Sequence, residues 1–298
     1  MDPSEQLNMT PDKYCQDKAA KSGSSFYYSF HFLPKKQRDA IISLYAFCRE
    51  VDDIVDEIKD INIAKTKLLW WRTEIENIYS GKATHPVALA LTEHKEQFNL
   101  PKELFIEIID GMEMDLEYDV YPTFKELSLY CYRVASVVGL LSIEIFGYEN
   151  RQTQKYAHEL GMALQLTNIL RDVYEDAQRG RVYLPQDELE KFGVTNDDLL
   201  RGNMNEKTIA LFEYQANRAR KHYKQAFAYL PDEDRYSQRS GIIMSDIYHA
   251  LLDEIEKDGF RVLEHRIKLT PLRKLWIAWM GARREKNLFK KMSRRKAA

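Results

Sequence analysis

An all-α fold follows from three observations. Gly and Pro are scarce, 12 and 9 among 298 residues. Together they make about 7% of the chain where roughly 12% is usual, which leaves little of the turn chemistry that many short strands need. Long stretches of helix formers run uninterrupted from recognisable helix-start signals. No Ser/Gly/Pro-rich linker and no 34- or 40-residue repeat divides the chain, so the helices are expected to pack as one bundle over residues 1–270, followed by a separate basic helix and tail over 271–298.

The elements read in order as follows. Pro34 opens KKQRDAIISLYAFCREVDDIVDEI, free of Gly and Pro from Lys35 to Ile58. Further helices are predicted over 61–80, 85–97 and 101–117, the last starting at Pro101. Thr123 with Glu126 forms a capping box for a helix over 123–146. The pattern continues over 151–177 and, after a loop containing RGRVYLP, over 186–192, 206–229, 233–257 and 271–291.

Charge is distributed unevenly. From Pro271 onward the chain has ten Lys/Arg and one acid, Glu285, a balance of +9. Residues 1–270 therefore carry −11 within a total of −2. A body that acidic lacks the basic face that nucleic-acid phosphates require. Phosphorylated ligands would need cations between them and the protein. Three scattered cysteines, Cys15, Cys48 and Cys131, and a polar N-terminus read as a reduced, cytosolic protein. The most apolar stretch, Val134 to Ile143, falls short of the ~20 residues of a membrane span.

Two acidic helix faces carry the chemistry. Tyr45, Arg49, Asp52 and Asp56 project within about 60° at 100° per residue, flanked by the apolar Ile42, Phe47, Val51, Ile54 and Val55. An acidic stripe alone is usually a solvated face. A second one changes the reading: Gln165, Asn168, Asp172 and Asp176 share an arc of about 80°, flanked by Leu164, Ile169, Leu170 and Val173. Two interior faces with an Asp-x-x-x-Asp pair each cannot be buried bare, because an uncompensated carboxylate in low dielectric costs several kcal/mol. Oxygen-only donors fit Mg²⁺ rather than Zn²⁺, and Mg²⁺ favours one or two carboxylates shared with substrate phosphates. A phosphorylated ligand between the two faces is expected. Metal-clamped diphosphate in a dry apolar cavity suits ionisation of an allylic leaving group, with aromatic faces stabilising the cation. Most of the 18 Tyr and 13 Phe are ordinary core. Phe26, Tyr27, Tyr45, Tyr130, Tyr183 and Tyr248, near the acidic faces, stand apart. No H-x-x-x-H pair, G-x-S-x-G elbow or G-x-G-x-x-G loop is present.

SSFYYSFHFLPKKQRDAIISLYAFCREVDDIVDE, DGMEMDL from Asp110, YCYRVASVVG from Tyr130 and QLTNILRDVYEDAQRGRVYLPQDEL from Gln165 resemble the squalene and phytoene synthases. These are head-to-head (1′-1) prenyl transferases, and the resemblance runs from about residue 12 to 275. SGSSFYYSF with YAFCREVDD looks most like the presqualene diphosphate synthases of bacterial hopanoid biosynthesis. The resemblance implies condensation of two farnesyl diphosphates to presqualene diphosphate, feeding squalene or hopanoid synthesis. It makes Asp52, Asp56, Asp172 and Asp176 the carboxylates for two or three Mg²⁺ and the diphosphate, with Asn168 a further metal ligand and Gln165 beside it. Tyr45, Arg49 and Arg171 become diphosphate contacts, and Ser24 and Ser25 a flap. Tyr183, Tyr248 and Arg266 border the cavity and a second diphosphate. The flap reads Ser22-Gly23-Ser24-Ser25 where some carotenoid-type relatives have His and Lys. The proton acceptor is either released diphosphate or Tyr183. NADPH is not expected. Dehydrosqualene or phytoene synthase, a complete NADPH-dependent squalene synthase, and a non-catalytic assembly factor of the same fold are the alternatives. An assembly factor is expected to have lost the aspartates.

In the tail, Leu272, Leu275, Trp276, Trp279 and Met280 at helical spacing precede RREKNLFKKMSRRK. This basic amphipathic pattern suits anionic lipid, which would make the protein peripheral on the inner face of the cytoplasmic membrane. The competing placement packs the apolar stripe on the body.

Overall fold

The computed structural model describes residues 9–21 and 29–296. Ser24, Ser25, Phe26 and Tyr27 lie outside the described residues. About 75% of the described residues are helical, and the one strand-like feature among them is an isolated parallel bridge between Val120 and Val182.

The helices are α1 (Pro11–Lys21), α2 (Lys35–Glu57), α3 (Ile61–Ser80), α4 (Pro86–His94), α5 (Lys102–Glu117), α6 (Phe124–Cys131), α7 (Val137–Phe146), α8 (Gln152–Gln178), α9 (Gln186–Phe192), α10 (Asn196–Leu200), α11 (Glu206–Tyr229), α12 (Arg239–Lys257) and α13 (Pro271–Lys296). Their boundaries follow the start signals. Asp60 caps α3 by accepting from the amides of Asn62 and Ile63, and the Thr123–Glu126 capping box opens α6 as expected.

Three differences from the sequence reading have physical causes. Residues 233–238 form turns, so α12 begins at Arg239 rather than at 233. The buried Asp234 carboxylate is engaged across the fold, accepting from the amides of Glu149 (2.7 Å) and Asn150 (3.0 Å) and from the Thr153 hydroxyl (2.6 Å) at the start of α8. The predicted helix over 123–146 contains a π-helical turn, Tyr132–Ser136, between α6 and α7. Gly161 of α8 lies against that turn, and a methyl group there would fall 2.5 Å from Ser136 Cα. Counted through the π turn, Phe124–Phe146 is apolar and long enough to match a membrane span by composition. It is nonetheless an internal rod, with α5 packed against the π turn and α7, and α8 against all three segments.

Two cores result. One gathers α1 to α5 with α7, around Phe47, Trp71, Ile75 and Phe105. The other gathers α6 and α8 to α12, around Tyr156, Phe212, Tyr223 and Leu252. Val134, in the π turn, packs against both.

Candidate active site

An apolar cavity of about 200 Å³ lies where the two cores meet. Its walls come from α2 (Leu44, Tyr45), the π turn and α7 (Val134, Val138), α8 (Gly161, Leu164) and α12 (Met244). Gln165 and Asn168 also line it, two turns and one turn short of Asp172 on the same helix. The Asn168 side-chain nitrogen donates to Gln165 (3.3 Å), while its Oδ1 is buried and accepts no hydrogen bond among the described residues. An orphaned buried acceptor beside carboxylates suits a hard cation.

The acidic faces flank this end of the cavity. On α2, Asp52 pairs with Arg49, which also binds Asp53. On α8, Asp172 is held by Arg171 and by Arg266 (Nε to Oδ1, 2.9 Å), and Arg266 reaches Glu175 as well (2.9 Å). Electrostatics links the two faces. Burial, reinforced by Asp172, Asp115 and Asp56, pushes the Asp176 carboxyl up to about 7. Burial likewise pushes Asp52 up to about 6, against the pull of Arg49. Among the described residues no three His, Cys, Asp or Glu side chains converge on one point. The donor set fits Mg²⁺ when substrate phosphate oxygens complete the coordination.

The RGRVYLP loop closes this side. Gly180, at φ +82°, ends α8 in a left-handed turn, with Gly180 N donating to Ala177 O and Arg181 N to Asp176 O, the paired bonds of a Schellman motif. Val182 N then donates to Asp119 O (2.8 Å). In an extended segment Arg181 and Tyr183 project on the same side. Arg181 reaches Asp56 (3.1 Å) and the Val55 carbonyl (2.8 Å). Tyr183 donates to Asp115 Oδ1 (2.8 Å), and Tyr130 donates to Asp115 Oδ2 (3.0 Å). Burial raises the Asp115 carboxyl to about 7, and burial with the Asp115 charge raises both phenols well above their ordinary value.

Tyr45, Gln165 and Asn168 thus line the cavity, while Arg49, Asp52, Asp56, Arg171, Asp172, Asp176 and Arg266 form its polar end. Tyr183 stands beside that end, stacked on Tyr130 with ring centroids 5.2 Å apart. Tyr248 is buried on α12 and interacts with Arg171. Neither Tyr183 nor Tyr248 belongs to the cavity wall. Asp115, Arg181 and Lys274 were missed in the sequence. Asp115 follows Ile108 and Met112 at apolar-stripe spacing on α5, where a carboxylate is out of place. Arg181 stands two residues before Tyr183 in the extended loop. Lys274 feels Arg171, Arg266 and Lys268, and burial together with these cations lowers its pKa.

Residues 19–273 match the squalene/phytoene synthase family model. The chain belongs to the squalene/phytoene synthase family. Among relatives, it is 37% identical over 261 residues to presqualene diphosphate synthase of Sinorhizobium fredii, covering 87% of this chain and 93% of that one. It is 36% identical over 277 residues to phytoene synthase of Arthrospira platensis, covering 88% and 89%. A dehydrosqualene synthase crystal structure superposes with a TM-score of 0.81 at 28% identity, covering 93% of this chain and 97% of that one. Squalene synthase HpnC from Alicyclobacillus acidocaldarius gives 0.74 at 27%, covering 84% and 94%. The enzyme is a prenyl transferase of the head-to-head type with an isoprenoid-synthase bundle.

Proposed function

We propose that this family member joins two farnesyl diphosphates 1′-1 into presqualene diphosphate, with release of one diphosphate, and that it uses Mg²⁺ and no NADPH. The observation that carries this reading is an apolar cavity whose polar end is bounded by two facing Asp-x-x-x-Asp pairs. The 37% identity to a presqualene diphosphate synthase supports stopping at that product.

Asp52, Asp56, Asp172 and Asp176, with Asn168 Oδ1, would hold the ions. Mg²⁺ bound there supplies Lewis-acid stabilisation of the departing diphosphate. Arg49, Arg171, Arg181, Arg266 and Lys274 draw the diphosphates to the polar end and orient them. The C1–O bond of one donor breaks, and its allylic C1 is attacked by the C2=C3 bond of the other. Loss of a proton then closes the cyclopropane. The apolar walls exclude water that would quench the cation, and Phe30 and Tyr45, packed edge to face at 6.3 Å, offer ring electrons near the reacting end. Released diphosphate suits the role of proton acceptor better than Tyr183. The Tyr183 hydroxyl already donates to Asp115, and burial beside that carboxylate disfavours a phenolate.

A second reading, condensation of two C20 diphosphates to phytoene, is favoured by the 36% identity to a phytoene synthase over a similar length. Incubation of the purified protein with farnesyl or geranylgeranyl diphosphate and Mg²⁺, with and without NADPH, separates them. Presqualene diphosphate from the C15 donor in both cofactor conditions is expected. Phytoene from the C20 donor as the sole efficient product would replace this reading, and squalene formed only with NADPH would extend the reaction.

A further inference from the structure

The C-terminal helix α13 is docked, but not by its apolar stripe. Its inner face carries the buried Ala278 and Gly281, the latter close enough to α12 that a methyl group would meet Asp246 and Ile243 at about 3 Å. Ion pairs hold the same side: Arg273 to Glu254 (2.9 Å), Arg284 to Asp246 (2.9 Å), and the buried Glu285 to Arg284 (2.7 Å) and Arg235 (3.2 Å). Phe289 stacks on Tyr236 with centroids 4.3 Å apart. The one acid of the helix is thereby neutralised in the interior.

The outer face is left bare. Leu272, Leu275, Trp276, Trp279 and Met280 are all exposed, Leu272 and Trp276 by 79% and 61%. At 100° per residue these five span about 140°, and Arg283, Lys286, Lys290 and Arg294 fall within that same arc further along. All four cations are exposed. None pairs with a carboxylate among the described residues, and Arg283 instead lies over the Trp279 ring at 5.5 Å. The outer face therefore has an aromatic, apolar first half and a cationic second half.

We infer that this face of α13 binds the surface of an anionic phospholipid bilayer. Such a surface supplies both complements at once: acyl chains for the two tryptophans and leucines, and phosphate headgroups for the cations. The same face of a second copy supplies only the first. In an isologous contact the apolar halves would meet each other or the cationic halves, with no exposed acid on α13 to answer the charge. The helix starts beside the polar end of the cavity, since Lys274 feels Arg171 and Arg266. Lipid contact there brings the site to the phase in which prenyl chains dissolve. The inference does not rest on the choice of reaction, and its test reads binding rather than turnover.

The full-length protein is floated with vesicles of phosphatidylcholine alone and of phosphatidylcholine with 30% phosphatidylglycerol (about 30%, enough to give an anionic surface). It is expected to bind the anionic vesicles and not the neutral ones, with binding that weakens as salt rises. Reversing the exposed cations together, Lys286→Glu, Lys290→Glu and Arg294→Glu, should weaken binding by about a hundredfold or more, at roughly fivefold per cation. Trp276→Ser with Trp279→Ser should lower it comparably and abolish quenching of tryptophan fluorescence by brominated lipid. The charge variant alters only exposed residues and keeps the test valid if the tryptophan variant misfolds. No binding by the parent protein, or equal binding by parent and charge variant, overturns the proposal. A dimer that dissociates in the tryptophan variant, without vesicle binding, assigns the face to a second copy and overturns it as well.

Discussion

Replacing Gly161 with Ala tests whether the π turn and α8 must touch through their backbones. Alanine is the better helix former, so propensity alone predicts a gain of about 1 kcal/mol. Packing predicts the reverse. The new methyl group would fall 2.5 Å from Ser136 Cα, 2.7 Å from Ser136 N and 2.8 Å from the Ala135 carbonyl carbon, all backbone atoms that cannot rotate away. Relief requires the two helices to part by nearly 1 Å. Overpacking of this kind costs up to about 3 kcal/mol. Parting also strains the hydrogen bond from Ser136 Oγ to His158 O (2.8 Å), about 1 kcal/mol. The net loss is about 3 kcal/mol, which for a chain of this size lowers Tm by roughly 6 °C. Because Gly161, Ala135 and Val134 all line the cavity, kcat/KM should fall as well. Thermal denaturation followed by circular dichroism, with diphosphate release measured on the same samples, decides it. A Gly161→Ala protein as stable and as active as the parent would refute the close approach.

Other expectations concern charge and shape. Asp52→Asn or Asp172→Asn should lower kcat/KM at least about a hundredfold while leaving Tm near that of the parent, as a steady-state diphosphate assay and a melting curve will show. Asp115, ordinarily near 3.8, is raised to about 7 in the folded protein, which therefore holds a proton that the unfolded chain releases. Stability falls as pH rises between those values and levels off above the folded one. Asp115→Asn should flatten the Tm profile between about pH 5 and 7; an unchanged slope would show that Asp115 is ionised throughout. Asp52 and Asp176 act with the same sign, so part of the slope persists in that variant. Ala157→Leu adds bulk to the cavity wall at the end away from Asn168, and should depress turnover of a C20 donor more than that of a C15 donor in a competition assay read by product mass.

Most of the fold was written in local signals. Pro34, Pro101, Thr123 and Asn205 mark helix starts because proline and cap chemistry act within one turn. The acidic faces on α2 and α8 were likewise legible, since a 3.6-residue period survives any tertiary arrangement. What stayed hidden depends on long-range partners. The π turn exists where Gly161 admits Ser136, 25 positions earlier in the chain, and no local propensity reports that. Residues 233–238 leave the helix because Asp234 serves the start of α8, more than 80 residues away in sequence. Asp115 acquires its place from two phenols on other elements. The tail was ambiguous for the same reason: α13 offers two faces, and only Asp246, Glu254 and Arg235 on the body select the one that docks.

The cavity at the meeting of two cores has a consequence for cooperativity. A prenyl chain lying there touches both halves at once and acts as mortar between them, so substrate and product become part of the protein's interior. Filling the seam should raise hydrogen-exchange protection in α2 and α12 together, although they belong to different cores. Leaving it means pulling that mortar out. A larger hydrocarbon product bridges more of the seam, and the slow step of turnover then shifts from bond making to the parting of the two halves that lets the product go.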